Sequence, residues 1–168
     1  MICNLCPRRC GVERTQDKAA GVCAMPAWPV AARAMLHQWE EPCLVGEHGA
    51  GAVFFSGCNL RCKFCQNGVI SQKGYGKPIT PRRLREIFEE LVEQGAACLD
   101  LVTPTHFTDA VLEALGEERW PVPVVWNCGG DESVETLKRL EGRVQVYLPD
   151  LKYALSEPAK AYSGAADY

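Results

Sequence analysis

At 168 residues, with 47% apolar and 23% charged residues, the chain can bury one core plus a small appendage, which excludes a disordered polymer. A net charge of -3 supplies no basic excess to draw it onto nucleic acid or an anionic membrane. No apolar run approaches the roughly 20 residues of a membrane helix, and the first ten residues lack the apolar stretch of a signal peptide, so a cytoplasmic protein is expected.

Residues 1–48 hold five of the ten cysteines, no sustained periodicity, and breakers such as Pro26, Pro29 and Pro42, which describes a segment organised around metal ligands. Without an export signal the cysteine clusters read as metal-binding thiolates rather than disulfides. Residues 49–168 read as a core of alternating strands and helices. Gly51-Ala-Val-Phe-Phe-Ser56 is a buried strand that runs straight into a cysteine loop. Thr80-Pro81 then caps a helix carrying Leu84, Ile87, Phe88, Leu91 and Val92 at helical spacing, stopped by Gly95. Cys98–Val102 is a second strand, and Thr108 is read as the cap of a second helix with Phe107 and Leu112 as its hydrophobic staple. Val122–Trp126 is a third strand, Ser133–Leu140 a short helix, and Val144–Leu148 a fourth strand. Such alternation implies right-handed βαβ crossovers and a parallel sheet, with functional groups on the loops at the carboxyl ends of the strands.

Three cysteines in Cys58-Asn-Leu-Arg-Cys62-Lys-Phe-Cys65 are spaced to hold three irons of a four-iron cube, leaving one iron open to a small molecule. The competing assignment is a structural zinc completed by a remote ligand. Cys3, Cys6, Cys10 and Cys23 form a second, complete four-thiolate set, which fills either a tetrahedral zinc or an auxiliary iron–sulfur cluster; spacing alone does not separate them. Cys43 and Cys98 lack clustered partners and are expected in the core. Asp150 and Lys152, two apart, project the same way if the fourth strand continues through them. Asn127 precedes Gly129 and Gly130, which allow close backbone approach.

The ordered set of Cys3-x2-Cys6-Pro-Arg-x-Cys10 with Gly21-Val-Cys23, Ser56-Gly-Cys58 through Asn67, Val102-Thr-Pro-Thr-His106 and Leu148-Pro-Asp-Leu-Lys-Tyr153 resembles the radical S-adenosylmethionine (radical SAM) superfamily. Within it, the set is similar to uncharacterised relatives of the enzyme that activates pyruvate formate-lyase. The resemblance implies a partial barrel of six β/α units, a 4Fe–4S cluster on Cys58, Cys62 and Cys65, and reductive cleavage of S-adenosylmethionine to a 5′-deoxyadenosyl radical that abstracts hydrogen. It further implies an electron donor such as flavodoxin or ferredoxin and a glycyl radical enzyme as partner. For the cofactor it implies Lys152 at the methionine carboxylate, Asp150 at the ribose or the lysine, and Asn127 at the ribose hydroxyls. Phe64 either stacks on the adenine or packs in the core. His106 is either a proton carrier on the substrate side or a hydrogen-bonded structural residue. The place where the family commonly has Gly-Gly-Glu, a contact for the methionine amine, holds Thr103-Pro-Thr-His106 here. Four strands of six predict a core cut short after about four βα units, with an exposed parallel edge. The alternative class is a non-enzymatic zinc or iron–sulfur module, an electron carrier, or an inactive fragment.

Overall fold

The computed structural model describes residues 2–168, and its centre is one six-stranded sheet. In chain order the elements are β1 (Val30–His37), α1 (Pro42–Val45), β2 (Ala50–Phe55), α2 (Gly68–Ser71), β3 (Lys77–Pro78), α3 (Pro81–Glu93), β4 (Leu99–Val102), a 3-10 turn (Thr105–Phe107), α4 (Thr108–Leu115), β5 (Val124–Cys128), α5 (Val134–Leu140), β6 (Val146–Pro149) and α6 (Ser156–Ser163). The strand order is β3-β1-β2-β4-β5-β6. β2, β4, β5 and β6 run parallel, with Gly51 opposite Leu99 and Leu99 opposite Val124, as expected from the strand–helix alternation.

β1 is absent from the sequence reading. Its eight residues show no clean alternation, yet they pair antiparallel with β2, from Ala31 opposite Phe55 to His37 opposite Ala50. Hydrogen bonding therefore crosses residue 48, and the cysteine-rich segment shares a sheet with the core. Two strand boundaries also differ. β5 starts at Val124 rather than Val122 because Pro121 and Pro123 have no N–H to give a ladder. β6 starts at Val146 because the Val144 amide closes the turn after α5 on the Leu140 carbonyl at 3.1 Å.

Helix starts follow local chemistry. Thr80 accepts the Arg83 amide at 3.0 Å and Ser133 accepts the Thr136 amide at 3.2 Å, as capping hydroxyls should. Thr108 is the exception: its hydroxyl donates back to the Thr105 carbonyl at 2.7 Å, and Phe107 holds the cap position after the 3-10 turn. α6 lies in a segment for which the sequence offered no assignment.

Alternation along the strands separates two faces. Val53, Phe55, Leu99, Leu101, Val124 and Trp126 pack against Leu84, Phe88 and Leu91 of α3 and Val111 and Leu115 of α4. Phe88 is fully buried, and burial of a side chain of that size contributes about 1.5–3 kcal/mol. The opposite face carries Ala50, Cys98, Val125, Val146 and Leu148, closed at one end by Leu44. Cys98 is buried as expected, whereas Cys43 is exposed, since α1 turns the neighbouring Leu44 inward. β6 ends the sheet with half its residues exposed; among the described residues nothing pairs with its outer edge.

Candidate active site

The loop after β2 is built to carry ligands. Gly57 sits at φ 79°, and a Cβ there would meet the Met25 side chain at 2.3 Å and the Cys23 carbonyl at 2.9 Å, so only glycine lets the strand turn against the N-terminal segment. Further on, Arg61 adopts φ 53°, which curls residues 58–61 around the first sulfur. The Gln72 side chain donates to the Cys62 carbonyl at 2.7 Å, and the Gly57 amide to Ile70 at 3.1 Å, closing the loop on α2.

Cys58, Cys62 and Cys65 line one cavity of about 400 Å³ at the carboxyl ends of β2, β4, β5 and β6. Each sulfur has a donor aimed at it: the Leu60 amide to Cys58 at 3.4 Å, the Ser163 hydroxyl to Cys62 at 3.0 Å, and the Ser71 hydroxyl to Cys65 at 3.2 Å. Donors around sulfur favour thiolate over thiol, the form that binds iron. Burial pushes the Cys58 thiol above its ordinary value, against the opposing pull of the Arg61 and Leu60 amides. All ten cysteines are free of disulfides.

The same cavity is lined by Phe64 of the cysteine loop itself, by Asn127 near the end of β5, and by Asp150 and Lys152 of the segment after β6. Phe64 is 56% exposed and so is not a core residue; its ring meets Tyr153 and Tyr162 edge-on. Gly129 and Gly130 pass close to Leu60 and to the Asp150 carbonyl, where a Cβ would stand at 2.6 and 2.4 Å, which explains the pair of glycines after Asn127. β6 stops at Pro149, so Asp150 and Lys152 are not strand residues. The Tyr168 hydroxyl holds their backbone instead, accepting from the Lys152 amide at 2.8 Å and donating toward the Gly129 and Asp150 carbonyls. Lys152 pairs with Asp150; burial works against its charge, but the Asp150 carboxylate and the Cys62 sulfur outweigh it and hold the ammonium above its ordinary range. The cavity thus offers a permanent cation beside the three sulfurs.

Cys3, Cys6, Cys10 and Cys23 line a second, small enclosed cavity, with Asn59 and His106 in its wall. The Val22 amide points at the Cys10 sulfur at 3.5 Å and Arg14 donates to the Cys3 sulfur at 3.4 Å. Burial raises Cys6 to about 12 and also raises Cys23. Among the described residues, no three His, Cys, Asp or Glu side chains converge on a single metal ion. A four-iron cube would not ask this of Cys58, Cys62 and Cys65, since each would bind a different iron. A tetrahedral zinc at the N-terminal four requires their sulfurs to close further together.

His106 belongs to this second cavity, not the first. It is 2% exposed, its Nε2 meets the Ser56 carbonyl at 2.7 Å, and burial lowers it to about 4, so it stays neutral near pH 7 and does not face the large cavity. Residues that sequence reasoning passed over are Arg8, Asp100 and Glu132. Asp100 is fully buried on the face opposite α3, raised to about 8 by burial and then by Glu40 beside it, and its oxygens make no well-formed hydrogen bond. Glu132, raised to about 7 by burial, accepts the Thr105 hydroxyl at 2.5 Å. An acidic residue inside an apolar strand, Leu-Asp-Leu, is the one sequence signal that marked Asp100.

A six-stranded mixed sheet whose four parallel strands end at one cavity, with three cysteines on the first of their carboxyl-end loops, defines an α/β domain with a cysteine-lined site. Residues 52–152, more than half of the chain, match the model of the Radical SAM superfamily, and the chain belongs to that superfamily. Membership implies a 4Fe–4S cluster and S-adenosylmethionine, and the three sulfurs, their donors and the adjoining cavity fit both. The uncharacterized protein MJ0674 of Methanocaldococcus jannaschii is 31% identical over 175 residues, an alignment covering 99% of this chain and 50% of that protein. The chain therefore spans about half the length of the curated relative it matches. No solved structure matches the chain. Among the described residues no helix is long and apolar enough to cross a membrane.

Proposed function

We propose that the protein is a radical SAM oxidoreductase whose large cavity holds S-adenosylmethionine against a cluster ligated by Cys58, Cys62 and Cys65. The observation that carries this reading is the convergence of those sulfurs with Phe64, Asn127, Asp150 and Lys152 on one cavity. When bound, the pair supplies one-electron cleavage of the sulfonium–C5′ bond, giving methionine and a 5′-deoxyadenosyl radical that takes a hydrogen atom from substrate.

The chain's own residues bind and orient. Lys152 neutralises the methionine carboxylate as a half-buried cation, and Asp150 fixes the lysine. Asn127 offers an amide to the ribose hydroxyls. Phe64 gives an exposed ring face to the adenine. The Ser71 and Ser163 hydroxyls and the Leu60 amide stabilise charge on the sulfurs and so tune the cluster potential. By resemblance, the branch is that of glycyl radical activases, the reductant a cytoplasmic flavodoxin or ferredoxin, and the partner a glycyl radical enzyme. The N-terminal four cysteines hold zinc or an auxiliary iron–sulfur cluster in a structural site.

Anaerobic reconstitution followed by electron paramagnetic resonance tests the reading. A reduced cluster signal that changes when S-adenosylmethionine is added, with formation of 5′-deoxyadenosine and methionine, is expected. Zinc as the sole metal, or a cluster signal indifferent to S-adenosylmethionine, identifies a metal-binding module instead.

A further inference from the structure

Arg8 sits in the turn between Cys6 and Cys10, yet its guanidinium leaves the N-terminal segment. Nε donates to the Asn59 carbonyl at 2.7 Å and Nη2 reaches the Leu60 carbonyl at 3.4 Å, both in the loop that carries the central cysteines. The same group donates to the Ser163 carbonyl at 2.6 Å and to the Gly164 carbonyl at the end of α6. One side chain therefore grips four backbone acceptors belonging to two segments far from it in sequence.

Peptide planarity turns this grip into an effect on sulfur. A trans peptide points its C=O and its N–H in opposite directions. The peptide joining Asn59 and Leu60 gives its carbonyl to Arg8 and its N–H to the Cys58 sulfur at 3.4 Å. The next peptide, with the Leu60 carbonyl toward Arg8, sends the Arg61 N–H to the same sulfur. A cation on each carbonyl polarises the amide and strengthens its N–H···S bond. The Ser163 hydroxyl, on the second segment that Arg8 holds, is the donor to Cys62. The positive φ of Arg61 is the backbone cost that this pinning sustains.

We propose that Arg8 is a positioning residue for the central cluster: from the N-terminal cysteine turn it orients the N–H and O–H donors on Cys58 and Cys62 and so raises the cluster's reduction potential. The cysteines around Arg8 serve this role by fixing the turn. The Arg9 amide meets the Cys6 carbonyl at 3.0 Å, and the Gly11 amide the Cys3 carbonyl at 3.0 Å. Arg9 itself points outward to a long, exposed ion pair with Glu135. N–H···S bonds stabilise the more negative, reduced cluster, so losing them makes reduction harder. The inference rests on the proposed cluster at Cys58, Cys62 and Cys65.

The test is a dithionite redox titration, followed by electron paramagnetic resonance, of the S-adenosylmethionine-responsive signal in the full chain and in Arg8→Ala, Arg8→Lys and Arg9→Ala. Arg8→Ala is expected to move the midpoint to more negative potential, change the line shape, and weaken S-adenosylmethionine binding about 10-fold, the lower end of what outer-shell substitutions cost. Arg8→Lys keeps the charge but not the fork that spans four carbonyls, so it falls between Arg8→Ala and the parent. Arg9→Ala matches the parent. Should Arg8→Ala be too unstable to load iron, Arg8→Lys decides: a shifted midpoint supports the inference, and the parent's midpoint overturns it. A midpoint in Arg8→Ala equal to the parent's overturns it outright. A parent chain with no responsive cluster removes the proposed function itself, whereas a normal parent cluster with unmoved variants removes only the role of Arg8.

Discussion

The two cysteine sets differ in what surrounds them more than in the ligands themselves. Cys3, Cys6, Cys10 and Cys23 enclose a cavity with almost no free space, walled by Arg8, Asn59 and buried His106. Cys58, Cys62 and Cys65 sit at the rim of a far larger cavity that also presents a lysine, a carboxylate, an amide and an exposed ring. Four ligands in a closed wall suit a site that fixes structure. Three ligands beside open polar volume suit one that takes a small molecule. The sites nevertheless touch through Gly57, Asn59 and Arg8, so the closed one is placed to discipline the open one.

The largest expected effect breaks the pair apart. Cys62→Ala removes a ligand held by the Ser163 hydroxyl, and the response to S-adenosylmethionine should vanish while the N-terminal metal content stays at the parent level. Metal analysis beside the spectrum reads both sites at once; loss of both metals would show that they assemble as one unit. Next in size is the junction. Gly57→Ala places a Cβ against Met25 and the Cys23 carbonyl at positive φ, and should cost about 3 kcal/mol by denaturant unfolding, from conformational strain plus overpacking. It should also lower cluster loading at the central site before it affects the N-terminal one. Smaller again, Lys152→Met keeps the aliphatic bulk and removes the cation paired with Asp150. S-adenosylmethionine should bind about 10-fold more weakly, the worth of one charge-assisted contact, with the metal content of both sites unchanged.

Much of this was legible in residue order. The four parallel strands and their helices follow from short apolar runs and from caps such as Thr80 and Ser133, whose chemistry is local. That the central cysteines meet at one cavity is legible because their spacing is short-range. What escaped depends on distant partners. β1 is a strand because β2 completes its hydrogen bonds, not because its own residues alternate. From residue order His106 is open between a proton carrier on the substrate side and a hydrogen-bonded structural residue; only the fold decides for the second, burying it under Ser56 with its ring on Phe107. Arg8 carries no signal in residue order beyond its place in a cysteine turn, because its four carbonyl acceptors lie about 50 and 155 positions away in the chain. Thr108 had the right residue type for a cap, but the 3-10 turn before it gave its hydroxyl a nearer acceptor.

The smallest effect concerns how the closed site is tied to the sheet's helices. Leu5 lies between Cys3 and Cys6, and its carbonyl accepts the Thr136 hydroxyl of the first turn of α5 at 2.6 Å and the hydroxyl of Ser133, the cap of that helix, at 3.5 Å. Thr136→Val keeps shape and removes the shorter bond, leaving a buried carbonyl with one weak donor; about 1 kcal/mol of stability should be lost. Because Thr136 touches neither cavity, the spectrum of the central cluster should not move. Denaturant unfolding with the N-terminal metal bound and after its removal sharpens the point. If the metal organises the turn that presents the Leu5 carbonyl, the variant's penalty shrinks once the metal is gone, since the acceptor is then free to turn toward water. An equal penalty in both states would mean that α5 holds the turn in place by itself, and that the cysteines only fill the space it leaves.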